Sequence, residues 1–173
     1  MNQLFKSLLI STLVLAFVSN SALAQSILIK NAKIHTVTSD GVLTDTDILI
    51  EDGLIRNIDE DLSAENAKVI DAKGKVVTPG IFALSNQIGI VEISAIEGTN
   101  DAATEKEGAG ASFKVDGVFN AKSTLIPMNR EGGVTRTLIK PYNGLSLFAG
   151  YGSIMDLSGE YDSLILSDVA IFA

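Results

Sequence analysis

The sequence predicts a β-rich, mixed α/β fold in two parts, and three observations carry that prediction. Residues 26–78 are short runs of alternating apolar and polar side chains cut by Asp-Gly pairs, the pattern of strands with one buried face joined by tight turns. After Pro79-Gly80 the texture changes to "GIFALSNQIGIVEIS", apolar almost throughout, as in a strand covered on both faces. Beyond it, "NAKSTLIPMNREGG" (Asn120–Gly133) has the pattern of a short helix. The expected division is a leader over 1–24, a β-sheet module over 25–78 and a second segment over 79–173.

Within the sheet module, "SILIKNAKIHTVTSDG" alternates and stops at Asp40-Gly41. "TDILIEDGLIRNI" holds two strands joined through Asp52-Gly53, where a type I′ turn needs positive φ at both central residues. "KVIDAKGKVVTPG" repeats the device around Gly74 and ends at Pro79-Gly80. In the second segment, Glu97–Gly117 is small, polar and rich in Gly and Ala, and reads as a long loop, partly helical at best. The helix is expected to be capped by Ser123 and stopped by Gly132-Gly133, with Pro127 either in its first turn or breaking it. "VTRTLIKP" is the next buried strand, "NGLSLFAGYGSIMDLSG" a hairpin punctuated by glycine, and "YDSLILSDVAIFA" closes the chain.

The first 24 residues have the build of a secretory signal peptide. Lys6 precedes the apolar run "SLLISTLVLAFV", and the small-x-small pattern Ala22-Leu23-Ala24 ends just before Gln25. That run is shorter than the ~20 residues that span a bilayer. Cleavage after Ala24, a periplasmic or secreted location and no membrane anchor after cleavage are therefore expected. The chain contains no cysteine, so lipid attachment at a cysteine, disulfides and thiolate metal sites are all excluded. Its formal net charge is −8, and its cations (Lys114, Lys122, Arg130, Arg136, Lys140) are spread among apolar residues. That balance argues against nucleic acid as a partner. The absence of Trp argues against a stacking platform for bases or sugars.

The ordered set "ILIKNAKIHTV", "DILIEDGLIRNI" and "VIDAKGKVVTPGI", followed by "STLIPMNREGGVTRTLIKP" and "LFAGYGSIMDLSG", resembles the start of the amidohydrolase superfamily, in its imidazolonepropionase-like branch. The resemblance covers nearly all of Ile27–Ala173. It implies a small β-sandwich-type sheet followed by the first strands of a TIM-like (β/α)₈ barrel, here incomplete. A whole barrel takes at least ~200 residues. It also implies a divalent metal such as zinc as the family's cofactor. In such proteins the first barrel strand ends in Asp-x-His-x-His, and two histidines one residue apart on a strand project to the same side and can share an ion. Aligned on Pro79-Gly80, the Asp position is Ala83 and the His positions are Ser85 and Gln87. Neither a hydroxyl nor an amide replaces an imidazole lone pair on a transition metal.

No catalytic or metal-binding residue is therefore assigned, no cofactor is expected in this chain, and no substrate-binding residue can be named. His35, the one histidine, reads as a half-buried sheet residue outside the motif. Glu92, Glu97 and Asp101 follow the first apolar strand and could form a carboxylate pair or hold a hard cation, but they lack calcium-loop spacing and read as a solvated acidic loop. Ser85 has no histidine nearby to act as its base, and the glycines of "EGAGAS" and "FAGYGS" lack the strand–turn–helix context of a phosphate loop. The expected function is that of an exported amidohydrolase-like protein or pseudoenzyme fragment, inactive alone and partnered by the remainder of its own barrel or by copies of itself. Two alternatives stand beside it. One is a metal-dependent hydrolase of C–N bonds other than peptide bonds, active only with C-terminal strands this chain lacks. The other is a β-rich binding or structural module.

Overall fold

The computed structural model describes residues 26–173 except Glu105, Glu107 and Leu145; the expected leader lies outside the described residues. The chain divides between Pro79 and Gly80 into two compact units.

The first unit is a five-stranded mixed sheet: β1 (Ile27–His35), β2 (Val42–Glu51), β3 (Leu54–Asp59), β4 (Lys68–Asp71) and β5 (Val76–Val77). The order is β3-β2-β1-β4, with β5 also on β1. The β2–β3 turn is as the sequence predicts, with φ of 52° at Asp52 and 73° at Gly53. Lys73 and Gly74 adopt the same left-handed pair, at 53° and 75°. There, however, the turn makes no hairpin: β4 and β5 both run parallel to β1, so the turn only steps the chain along one edge.

Strict alternation fails in β1 for a specific reason. Ile29 opposes Ile48 and Ala32 opposes Thr46, so β1 has one residue more than β2 over that stretch. The extra residue centres on Asn31, in left-handed backbone at φ 55°. The bulge lets Ile29 share a face with Ala32 and Ile34, where they pack with Ile48 and Ala72. Buried Asp47 holds it: one carboxylate oxygen accepts the Asn31 N–H at 2.9 Å, the other accepts the Leu62 N–H at 3.0 Å, and Lys30 Nζ lies 3.4 Å away. From the same residue, Asn31 Nδ2 donates to Asp71 at 3.0 Å and the Asn31 carbonyl accepts from Gly74 N at 2.8 Å. One residue thus ties β1 to β2, β4 and the following turn.

The second unit holds β6 (Ile81–Asn86), α1 (Leu125–Glu131), β7 (Val134–Ile139), β8 (Gly150–Asp156) and β9 (Leu164–Phe172). The sheet order is β6-β7-β8-β9, with β6 and β7 parallel and the other pairs antiparallel. The segment between β6 and α1 carries three one-turn 3₁₀ helices, at Glu97–Thr99, Gly110–Ser112 and Val115–Val118. It is more than a solvated loop, because Ile90, Val91, Ala102 and Val115 are buried with Ile139 and Met155 in one core. Gly150 permits its docking: Tyr151 N donates to Phe113 O at 2.8 Å, and a Cβ at Gly150 would lie 2.5 Å from that oxygen. Three cations secure the far elements. Arg130 Nη1 donates to the Leu157 and Ser158 carbonyls, Lys122 donates to the Gly159 carbonyl, and Lys114 pairs with Asp168.

Three expectations need correction. α1 starts at Leu125 after Thr124, not after a Ser123 cap, although Ser123 Oγ does accept the Leu125 N–H at 3.2 Å. The hairpin joins β8 to β9, while Asn143-Gly144 lies in the longer connection from β7 to β8. β6 is not covered on both faces: Ile81 is 54 % exposed, Phe82 44 % and Leu84 66 %. Its apolar sequence is that of a strand with neighbours on both sides, and in this sheet it is an edge.

Replacing Asp47 with alanine strands two backbone N–H groups, one of them in the bulge. It should cost about 2–4 kcal/mol in urea unfolding; a loss under ~0.5 kcal/mol, the range of a neutral surface change, would show that the bulge holds without it. The side-chain hydrogen bond from Asn31, with that from the Lys73 backbone, holds the exposed Asp71 carboxyl below its ordinary 3.8. A depressed acid stabilises the fold above its unfolded pKa, and the contribution is lost as pH falls through the folded value. Asn31→Ala should therefore move the Asp71 titration upward in a carboxyl NMR experiment, and an unmoved titration would assign the shift elsewhere. Lys114 has the opposite sign: hydrogen-bonded to Asp168, it is raised above 10.5, so its contribution is full below that value and fades as pH rises through the folded pKa.

Candidate functional site

The positions that matter lie at the C-terminal end of β6, where the resemblance places a metal motif. Ala83 opposes Thr137 and Asn86 opposes Ile139, three steps on β6 against two on β7. The extra residue is at Ser85, in left-handed backbone at φ 59°. Alternation would group Ala83, Ser85 and Gln87 on one face. The bulge instead puts Asn86 beside Ala83, on the face of Thr137 and Ile139.

Asn86 then uses its whole amide. Nδ2 donates to Thr137 Oγ1 at 2.5 Å and to the Ala83 carbonyl at 3.2 Å, while Oδ1 accepts the Ile88 N–H at 3.0 Å. Thr137 is fully buried, and its hydroxyl donates to the same Ala83 carbonyl at 3.3 Å. The main chain continues the lock, with Lys140 N bonded to Asn86 O, and the Ile90 and Val91 N–H groups both bonded to Gln87 O. The strand end is a polar network in which both Asn86 Nδ2 protons are engaged and Oδ1 accepts one backbone N–H.

The donors here do not fit a divalent transition metal. Ala83 has none, Ser85 has an exposed hydroxyl, Gln87 has a half-buried amide, and the Asn86 amide is committed. Among the described residues no group of three or more His, Cys, Asp or Glu is placed to hold an ion. The acidic loop is dispersed as well: Glu92 accepts from Asn120 Nδ2 at 3.2 Å, Glu97 is exposed in a 3₁₀ turn, and Asp101 lies beyond the Val91–Asn100 bridge. His35 ends β1, half-buried, on the rim of a groove of about 740 Å³ in the first unit, floored by Ile34, Ile48, Ile58 and Val77. "EGAGAS" and "FAGYGS" serve close packing: a Cβ on Gly110 would strike the Phe148 carbonyl, and one on Gly152 the Ile139 carbonyl.

Asn86 and Thr137 were missed by the sequence reading. Their signal is weak: an Asn before an amide-rich turn, and one of two threonines in "VTRTLIK". Only the register brings them together.

No family model matches the chain. A dihydroorotase of Bacillus cytotoxicus is 44 % identical over 45 residues, which is 26 % of this chain and 10 % of that protein. A dihydroorotase of Bacillus thuringiensis is 40 % identical over an equal span. The crystal structure of an amidohydrolase from Thermotoga maritima shares the fold with TM-score 0.73 at 24 % identity, over 84 % of this chain and 38 % of that one. The chain thus matches about a tenth of the dihydroorotases' length and well under half of the solved structure. By sequence over 45 residues the chain is similar to dihydroorotases, and over most of its length it shares its fold with part of the Thermotoga maritima amidohydrolase.

Proposed function

We propose that this chain is an exported amidohydrolase-like module that acts by binding and assembly and does not hydrolyse on its own. The observation that carries the reading is the end of β6, where Ala83, Ser85 and Gln87 stand at the metal positions and the Asn86 amide is spent on Thr137 and Ala83. In this reading β6 and β7 are the first two strands of a TIM-like barrel. Their parallel pairing, with α1 in the crossover between them, supports it, since such barrels repeat a parallel strand and a helix. The partner is a chain bearing further barrel strands. β6 offers it an edge with exposed Ile81, Phe82 and Leu84 and no charged side chain, whereas the edge strands β3 and β9 carry Arg56 and Asp168. Export rests on Lys6, the apolar run and Ala22/Ala24.

The identity with dihydroorotases favours one second reading: a hydrolase of C–N bonds other than peptide bonds whose metal ligands come from another polypeptide. In that case the complex, but not this chain, would hold metal.

Elemental analysis of the purified chain should find zinc, iron and manganese well below one per chain, and the Ser85→His/Gln87→His double variant should remain inactive on cyclic amides; tight binding of one transition metal per chain would overturn the reading. Light scattering after gel filtration should give an oligomer or a complex. A compact monomer that unfolds cooperatively and binds little hydrophobic dye would mean that the β6 edge needs no partner. Protein recovered from the periplasm should begin at Gln25, and an intact Met1 would refute export by cleavage.

A further inference from the structure

The connection from β7 to β8 contains the chain's one Asn-Gly pair, Asn143-Gly144. This pair builds no two-residue hairpin, because β7 and β8 pair only beyond a connection that runs from Lys140 to Ala149. Asn-Gly has a chemistry of its own. The main-chain nitrogen after an asparagine can attack the asparagine Cγ, and a side chain on the following residue ordinarily obstructs that approach. Glycine has no such side chain.

We propose that Asn143 is a self-modifying site, converting to aspartate and isoaspartate without an enzyme or a cofactor. Gly144 N forms a bond to Asn143 Cγ, the Cγ–Nδ2 bond breaks, and ammonia leaves with the proton that Gly144 N gives up. The resulting five-membered imide then adds one water at either carbonyl. Opening at one carbonyl gives aspartate, and opening at the other gives isoaspartate, in which the main chain runs through the former side chain. The product carries one new negative charge in a chain whose net charge is already −8.

The surroundings favour this asparagine over Asn31, Asn86 and Asn129, and it alone is followed by glycine. Asn143 and Gly144 are both exposed, and the Asn143 amide makes one long hydrogen bond, Nδ2 to Leu147 O at 3.4 Å. Asn31 and Asn86, by contrast, lie in paired strands with their amides held at 3.0 Å and 2.5 Å. Asn129 is held in α1 by a 2.8 Å bond from Nδ2 to Leu125 O. Each of those three is followed by a residue with a side chain. The modification also has a structural consequence. Tyr142 N donates to the Ala102 carbonyl at 2.9 Å, and Gly144 sits so near Thr104 that a Cβ would be 3.0 Å from its carbonyl. Isoaspartate lengthens the main chain by one carbon between these two anchors, so the 141–144 turn must lift from residues 102–104.

The test is incubation of the full chain in mildly alkaline buffer at physiological temperature, followed by peptide mass mapping and isoaspartate-specific enzymatic methylation. Conversion should appear first at Asn143, as a gain of about one dalton with isoaspartate the larger product. It should be abolished in Asn143→Gln and slowed several-fold in Gly144→Ala. Faster conversion at another asparagine, or an unchanged rate in Gly144→Ala, would overturn the assignment. Because Gly144→Ala is tight against Thr104, unfolded chain run in parallel gives the intrinsic rate for each variant and separates blocked chemistry from altered packing.

Discussion

A bulge with a residue in left-handed backbone, fixed by side-chain hydrogen bonds or an ion pair, recurs in three strands, with one extra residue in β1 and β6 and two in β9, and the rest of the structure is arranged around it. In β1 the residue is Asn31, answered by Asp47 and Asp71; in β6 it is Ser85, answered by Asn86 and Thr137; in β9 it is Asp168, answered by Lys114. A non-glycine residue there costs about 1–3 kcal/mol unless its neighbours impose the conformation. The one-residue bulges of β1 and β6 also reverse which face the following side chains occupy. In β1 that reversal assembles the core of the first sheet, and in β9 the irregularity interrupts the regular ladder of an edge strand.

In β6 the same device decides the chemistry. Metal ligation by alternate residues needs an unbroken pleat that delivers side chains to one point. With Ser85 bulged, the side chain delivered to the β7 face is an amide that satisfies itself on a threonine and a carbonyl. What the strand end does in this structure is fasten β6 to β7. Loss of the donors and closure of the network are consistent with each other, because a buried amide left half-satisfied would itself be destabilising.

What was legible in the sequence is what glycine and periodicity record. Asp52-Gly53 marks its own turn because both residues need positive φ, and the division at Pro79-Gly80 coincides with a change from alternating to continuous apolar sequence. The bulges left no such mark, since Asn31, Ser85 and Asp168 are ordinary strand residues until a partner strand sets the register. The parallel placement of β4 and β5 was equally hidden: a left-handed pair at Lys73-Gly74 looks the same whether it reverses the chain or steps it along β1. Glu97–Gly117 read as a long loop because its small residues dilute the hydrophobic signal, yet Ala102 and Val115 in it are wholly buried. At the candidate site, the sequence shows Ala83, Ser85 and Gln87 where the resemblance places metal donors. The Asn86–Thr137 bond spans 51 residues and could not be seen there.

The most direct test of the central claim is an NMR measurement on the Asn86 side-chain amide. If the network is closed, its two Nδ2 protons should be distinct, protected from exchange and unaffected by added zinc, and Thr137→Val should remove the protection. An Asn86 amide that exchanges freely, or that shifts together with Ser85 and Gln87 on titration with zinc, would mean that the end of β6 is open to a metal and that the network is not what holds it.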